Sequence, residues 1–190
     1  MSYKSLVQHK TTRRAAGILL ILFSPALTLG AQHSDDWIKY DSKEGRYSVL
    51  LPAQPTVGSQ EATSADGIKF TQYKAAVFSG EVVYMIGYFD YTASMTFTFD
   101  KARDGMVGAV NGTLLTERSI SLGGYSGREL RVLARDESGA EYDMRARFYD
   151  VDRRIFVLQF IAPKSIAVEI TDPKATKYFD SFQVVRASQN

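Results

Sequence analysis

The chain has 190 residues, is 45% hydrophobic and 12% aromatic, carries a formal net charge of +2 and contains no cysteine. This composition is typical of one ordered globular domain and excludes the fibrous and low-complexity classes. The lack of cysteine excludes disulfides, thiolate metal sites, cysteine nucleophiles and a lipoprotein anchor.

Residues 1–30 have the layout of a secretory signal peptide. Basic residues precede an apolar run over residues 15–29, which is shorter than the about 20 residues of a membrane-spanning helix and contains Pro25. The basic residues are Lys4, Lys10, Arg13 and Arg14. We therefore expect cleavage between Ala26 and Ala31 and export to the periplasm or the cell exterior. The alternative is an uncleaved leader that tethers the domain to a membrane.

The basic balance of the chain resides in this leader. Without its four basic residues, 19 basic residues remain against 21 acidic ones. We therefore expect no nucleic-acid partner, and a membrane partner only if the leader is retained.

The rest of the chain predicts a short flexible lead-in over residues 31–36 and a single domain over residues 37–190. Nine segments rich in β-branched and aromatic residues are predicted to be strands. The short loops between them favour antiparallel pairing, because a parallel crossover needs a dozen or more residues. The predicted strands are residues 37–40, 47–51, 57–63, 68–78, 82–91, 114–122, 125–135, 141–149 and 155–162.

Two segments have the helical period instead. The first is residues 99–110, with Thr98 or Asp100 as its cap and Asn111-Gly112 as its stop signal. The second is about residues 175–182, where aromatic residues fall on one stripe.

The strands over residues 82–91 and 155–161 are apolar at nearly every position, which predicts burial on both faces. The predicted fold class is therefore α+β, with a single antiparallel β-sheet and helices on both faces, an α/β/α sandwich.

One stretch comes close to a catalytic motif. Gly124, Ser126 and Arg128 occupy the places of the three fixed residues in the G-x-S-x-G nucleophile elbow, so the last glycine is missing. The chain has only His9 and His33, the first in the leader and the second in the lead-in, so no domain histidine can activate a serine or bind zinc. We predict a glycine turn into a strand, no metal site and no cofactor.

Carboxylate pairs are the remaining catalytic possibility, and they support the alternative of a hydrolase that uses an Asp/Glu pair from distant turns. Neither the glycosidase pattern nor a calcium loop is complete, and acidic residues are common turn formers. The pairs are Asp35-Asp36, Asp136-Glu137 and Asp150 with Asp152.

A hairpin rich in arginine is the predicted binding surface. With residues 136–140 as its loop, Arg131 faces Arg145 and Glu129 faces Arg147, all on one side of the sheet, while an apolar set lines the other. Such a face is either a solvated surface of balanced charge or a recognition surface for an anionic ligand or partner. The candidate binding residues are Arg128, Arg131, Arg145 and Arg147.

Three stretches resemble PsbP-like domains. "EGRYSVLLPAQP", residues 44–55, resembles their opening strand, and "RRIFVLQFIAP", residues 153–163, is similar to their late central strand. "ATKYFDSFQVV", residues 175–185, is similar to their closing helix.

The resemblance implies an antiparallel sheet with helices on both faces, in exported or lumenal proteins that act by binding other proteins. Plant members assist the oxygen-evolving side of photosystem II, and a eukaryotic relative of the fold binds the Ran GTPase. Here Gln54-Pro55 stands where a tryptophan often follows the proline, so a photosystem role is not expected. We expect an exported, non-catalytic binding or accessory domain that engages an unidentified protein or small ligand.

Overall fold

The computed structural model describes residues 37–64 and 67–185. The predicted signal peptide and lead-in, with both histidines and the Asp35-Asp36 pair, lie outside these residues. The strands are β1 Ile38–Ser42, β2 Tyr47–Leu51, β3 Thr56–Thr63, β4 Lys69–Ser79, β5 Val82–Asp90, β6 Thr113–Leu122, β7 Tyr125–Arg135, β8 Glu141–Val151, β9 Arg154–Pro163 and β10 Gln183–Val184. The helices are α1 Phe99–Ala109 and α2 Val168–Asp180. No helix within these two ranges has the length and apolar character needed to cross a membrane.

The strands form two antiparallel sheets, so the α+β class and the antiparallel pairing are confirmed and the single sheet is wrong. Seven strands pair in the order β3-β4-β5-β9-β8-β7-β6, and three pair in the order β1-β2-β10. In the small sheet β2 is the central strand, paired with β1 and β10 rather than with a strand of the large sheet. It presents Tyr47 and Leu51 to the core. The short strand β10 lies directly after α2, where the sequence predicted no strand.

The seven-stranded sheet has two differently covered faces. The first, which we call the α2 face, is covered by α2 and the small sheet and presents residues such as Tyr84, Phe156 and Phe160. The second, the α1 face, packs against α1 through residues such as Met144 and Phe148.

Helix α1 begins and ends as the sequence predicts. The Thr98 hydroxyl accepts a hydrogen bond from the backbone N–H of Lys101 at 3.2 Å, which caps the first turn. Asn111 adopts φ 46°, and the N–H of Gly112 donates to the carbonyl of Val107 at 2.9 Å, the arrangement of a Schellman motif.

Helix α2 begins seven residues earlier than the predicted start at residue 175 and therefore contains Pro173. Proline removes one backbone donor inside a helix. Glu169, whose carbonyl would have accepted that bond, is exposed, so solvent can satisfy it. Burial of Thr171 and Ala175 on the inner side holds the helix across this defect.

The two strands predicted to be buried on both faces differ from one another. Seven consecutive residues of β9, from Arg154 to Phe160, are buried, as predicted. In β5, however, Val83 and Met85 are only half-buried, because α1 does not extend over their side of the α1 face.

Candidate binding surfaces

The four arginines predicted to bind a ligand lie on opposite faces of the sheet. The predicted register of the β7–β8 hairpin is confirmed, because Arg131 pairs with Arg145 and Glu129 pairs with Arg147. Arg131, Arg145 and Arg147 are thus on the α2 face. Arg128 is on the α1 face, so the four side chains do not form one site.

The arginines on the α2 face are bound to carboxylates. Arg145 pairs with Asp143, which lies on the same face of the same strand, β8, and with Asp172 of α2. Arg131 donates to the same Asp143 at 2.8 Å. Burial acts to raise the pKa of Asp143, but hydrogen bonds from these two arginines outweigh it and hold the pKa below its ordinary value.

Arg147 makes the second bridge between the sheet and α2. Its guanidinium donates to Glu129 at 2.6 Å and to Asp180 at 2.9 Å, and lies 4.9 Å from the centre of the Phe179 ring. The charged face that the sequence predicted to be either solvated or ligand-binding therefore anchors a helix.

Arg128 belongs to a separate group at the start of α1. It pairs with Glu117 of β6, and its guanidinium lies 5.6 Å from the centre of the Phe99 ring. Glu117 also accepts from Arg103 of α1 at 2.9 Å. Burial favours the neutral acid, yet the hydrogen bonds from both arginines lower the pKa of Glu117 overall. That Arg128 binds a ligand or partner stays a prediction.

Of the carboxylates predicted as turn formers, Asp136 acts as one, whereas Asp150 lies within strand β8 and not in a turn. Asp136 accepts hydrogen bonds from Ser138 and from the backbone of Ala140, and these hold its pKa below the ordinary value. Asp150 accepts from the hydroxyl of Tyr91 at 3.0 Å, and Asp152 accepts from the hydroxyl of Tyr125 at 2.9 Å.

A hydrolase with an Asp/Glu pair needs one carboxyl group with a raised pKa. Every acidic group in the described residues with a shifted pKa is shifted downward, and these groups are Asp90, Glu117, Asp136, Glu141 and Asp143. Within the same residues, no group of three or more acidic, histidine or cysteine side chains is placed to hold a metal ion.

The stretch around Ser126 is a glycine turn that leads into a strand. Gly123 and Gly124 have φ values of 58° and 93°, and β7 begins immediately after them. The turn borders a polar cavity of about 800 Å³ in which Arg154 is already bound bidentately to Asp90. A strand in place of the required helix leaves Ser126 without the geometry of a nucleophile elbow, as predicted.

The two edge strands of the seven-stranded sheet differ in how they are protected. Strand β6 carries Glu117 and Arg118 and is bulged between Leu114 and Thr116. Charges and bulges are devices that keep an edge from pairing with another chain. In contrast, β3 pairs with β4 in an unbroken register over eight residues and carries Glu61 as its one charged residue.

A cavity of about 280 Å³ opens beside β3 on the α2 face, between the two sheets. Val57 and Ser59 of β3 line it, and so does Lys74 of β4. We call it the tyrosine cavity because four tyrosines form much of its wall. They are Tyr40, Tyr47, Tyr73 and Tyr88.

The rings of the tyrosine cavity are held in place from behind. Tyr73 and Tyr88 are stacked with their centres 4.9 Å apart, and the guanidinium of Arg154 lies 4.6 Å from the centre of the Tyr88 ring. Burial raises the pKa of Tyr47 above its ordinary value, so its hydroxyl stays protonated at neutral pH. The wall is therefore largely aromatic on the side of these rings, with the carboxylate of Glu44 also lining the cavity.

Sequence reasoning identified β3 as a strand but not as an edge. Its position follows from long-range pairing, which local patterns do not reveal. The available signal was its composition, since TVGSQEAT lacks the apolar alternation of a covered strand.

No protein-family model matches the sequence, and no curated protein sequence matches it either. Solved structures do match. Cyanobacterial PsbP (CyanoP) from Synechocystis sp. PCC 6803 has a TM-score of 0.57 and 11% sequence identity, over 85% of this chain and 99% of that one.

Two other solved structures are less similar. A Pseudomonas aeruginosa protein of unknown function has a TM-score of 0.47 and 11% identity, over 80% of this chain and 99% of that one. The Ran-binding protein Mog1p of Saccharomyces cerevisiae has a TM-score of 0.46 and 8% identity, over 80% of this chain and 97% of that one. The likeness to cyanobacterial PsbP shows that this chain has the PsbP-like fold, as its sequence motifs predicted.

Proposed function

We propose that this chain is an exported accessory protein without catalytic activity, which binds an extended segment of a protein partner along β3. The observation that carries the proposal is the unprotected edge of β3 next to the tyrosine cavity. The PsbP-like fold supports a binding role by analogy, but fold alone does not assign a function.

The main chain of β3 supplies the first half of the recognition. Within the described residues β3 pairs only with β4, so its other side presents backbone N–H and C=O groups to an incoming strand. Strand addition of this kind draws its affinity from main-chain hydrogen bonds and depends little on the partner's sequence.

The tyrosine cavity supplies the second half. Alternate side chains of an added strand point to the same face of the sheet, so those on the α2 face lie beside Val57 and Ser59, which line the cavity. Val57 is 62% exposed, which leaves an apolar surface ready for contact. We expect the partner segment to place an apolar or aromatic side chain in the cavity.

Export is the second part of the proposal and rests on the leader. The basic residues before the apolar run at residues 15–29 favour a cleaved signal peptide. The intact mass of the protein recovered from the periplasm or the medium tests this. A mass lower by the leader supports export, whereas a full-length protein in the membrane fraction supports the tethered alternative.

Site-specific photocrosslinking in the native compartment tests the binding surface. A photoreactive phenylalanine at position 57 should cross-link a partner. The same residue at position 115 should not, although Leu115, at the other edge, is 50% exposed and so serves as a matched control.

A substitution with a matched control completes the test. Val57→Lys places a charge in the tyrosine cavity beside Lys74 and should lower affinity for the cross-linked partner by about tenfold or more. Leu115→Lys should leave the affinity unchanged. Unchanged binding by the first variant, or equal loss in both, would exclude β3 as the binding surface.

A further inference from the structure

A second surface with exposed apolar side chains lies on the α1 face, beyond the end of α1. The helix ends at Ala109 and leaves a groove of about 640 Å³. The groove lies between the last turn of α1, strands β4 and β5 near the turn that joins them, and the β7–β8 turn. We call it the apolar groove. Its floor consists of Ala76, Val83, Met85, Ala134, Met144 and Ile161.

The apolar groove is accessible from solvent. Phe78 forms its outer wall and is 50% exposed, an unusual state for a phenylalanine. Val83 and Met85 on the floor are half-buried. Methionine adapts its shape to different ligands, so the half-buried Met85 suits a floor that receives a flexible apolar chain.

The rim of the groove is rich in hydrogen-bond acceptors and negative charge. The C-terminal end of α1 carries the negative end of the helix dipole, and its last turn contains no basic residue. Asp136 and Glu137 of the β7–β8 turn line the same end. The pKa of Asp136 is lowered by hydrogen bonds from Ser138 and the turn backbone, so it stays ionised at neutral pH.

The positive charges nearby do not cancel this rim. Arg135 lines the groove, but its guanidinium donates to Glu141 at 3.0 Å. Lys164 pairs with the same Glu141 at 2.8 Å. With these two cations bound to Glu141, the side of the rim formed by Asp136 and Glu137 carries two negative charges, and the Asp136 carboxylate is fixed by hydrogen bonds from Ser138, Ala140 and Tyr142.

From the groove's size, floor and rim, we infer that it binds a small amphipathic organic cation, with its apolar body on the floor and its ammonium or amidinium head at the Asp136–Glu137 rim. A volume of about 640 Å³ lies within the range of small-molecule sites. This inference is independent of the proposed strand addition, because the tyrosine cavity lies on the opposite face of the sheet.

Calorimetric titration of the folded domain with n-decylammonium, below its critical micelle concentration, tests the inference. Decyl sulfate has the same chain and the opposite charge, and it should bind at least about tenfold more weakly. Equal binding of the two, or no binding of decylammonium, would overturn the inference.

Three single-residue variants locate the binding. Glu137→Lys should weaken decylammonium binding by about fivefold or more, and Phe78→Ser should weaken it similarly through the lost apolar wall. Glu169→Lys makes the same charge change on exposed α2 and should bind like the parent. If Glu169→Lys weakens binding as much as Glu137→Lys does, the cation is bound by overall charge and the inference fails.

Both groove substitutions are at exposed positions, so the fold should survive them, and circular dichroism checks that it does. Crosslinking at position 57 should be unaffected by either one. A loss of decylammonium binding with retained crosslinking separates this site from the proposed partner surface.

Discussion

The two faces of the seven-stranded sheet are built from different side chains and are covered to different extents. The α2 face is completed by α2 and the small sheet, and its largest fully buried side chains are mostly aromatic. The α1 face is packed largely with aliphatic residues and methionine, and α1 covers only part of it. Stability is therefore expected to concentrate on the α2 face, whereas the α1 face retains space for a ligand.

The largest effect is expected from a cavity in the aromatic cluster. Phe182 contacts three rings, with centre distances of 5.4 Å to Phe156, 5.7 Å to Tyr149 and 5.9 Å to Tyr47. Phe182→Ala should lower the free energy of unfolding by about 3–5 kcal/mol, measured by denaturant titration. Val185→Ala, at an exposed position nearby, should change it by less than about 0.5 kcal/mol. A loss below about 1.5 kcal/mol for Phe182→Ala would contradict the weight given to the α2 face.

A smaller effect is expected where α1 approaches the sheet. A Cβ at Gly112 would lie 2.6 Å from the Val132 Cγ1 and 2.9 Å from the Val110 Cγ2. Gly112→Ala should therefore destabilise the protein by about 1–3 kcal/mol through overpacking.

The control for Gly112 is Gly108, which lies inside α1. A Cβ at Gly108 meets nothing within 4 Å, so Gly108→Ala should stabilise the protein by up to about 1 kcal/mol through its better helix propensity. Thermal denaturation of both variants measures these changes as shifts in Tm. If both variants shift Tm in the same direction, close packing at Gly112 does not set the effect of the added methyl group.

The bridges between the sheet and α2 are expected to contribute less than the aromatic cluster. Arg147→Met removes the pairing to Glu129 and Asp180 and should cost about 1–2 kcal/mol, because the guanidinium is largely buried. Arg118 also pairs with Glu129 at 2.6 Å, but its side chain is 66% exposed. Arg118→Met should therefore cost below about 0.5 kcal/mol. Similar losses in the two variants would mean that burial does not set the strength of these pairs.

The sequence predicted local structure well where a signal is local. The β7 bounds, the register of Arg131 with Arg145 and the helix stop at Asn111 all follow from turn residues and alternation. The second sheet and the edge position of β3 were missed, because strand order depends on contacts between distant segments.

The candidate sites were less predictable than the elements. The arginines were found by their charge, but their carboxylate partners Asp172 and Asp180 lie on a helix whose start was misplaced. The apolar groove exists because α1 ends before it covers Val83 and Met85. Hydrophobic patterning predicts that these residues face a core, but it does not say that the helix above them is too short.

Acid should lower the free energy of unfolding by protonating the carboxylates that pair with arginines on the α2 face. Of the effects predicted here, the contribution of one such carboxylate is expected to be the smallest. The folded pKa of Asp143 lies below its ordinary value, so the unfolded chain binds the proton first as pH falls. The stabilisation is present above the unfolded pKa and is lost as pH falls through the folded pKa, below about pH 4. One such carboxylate contributes at most about 1.4 kcal/mol per pH unit to the slope. Asp143→Asn should therefore be less stable at pH 7 and show a shallower loss in acid.

The measurement is the free energy of unfolding by urea between neutral pH and about pH 2.5, where the carboxylates become protonated. Asp104→Asn is the control, because Asp104 is exposed on α1 and contacts Arg103 at the surface. Its acid slope should match that of the parent, because an exposed pair contributes little. If Asp143→Asn loses stability in acid as steeply as the parent, the charge of Asp143 does not help to hold α2 on the sheet. The packing of Tyr178 and Phe179 then holds the helix in place.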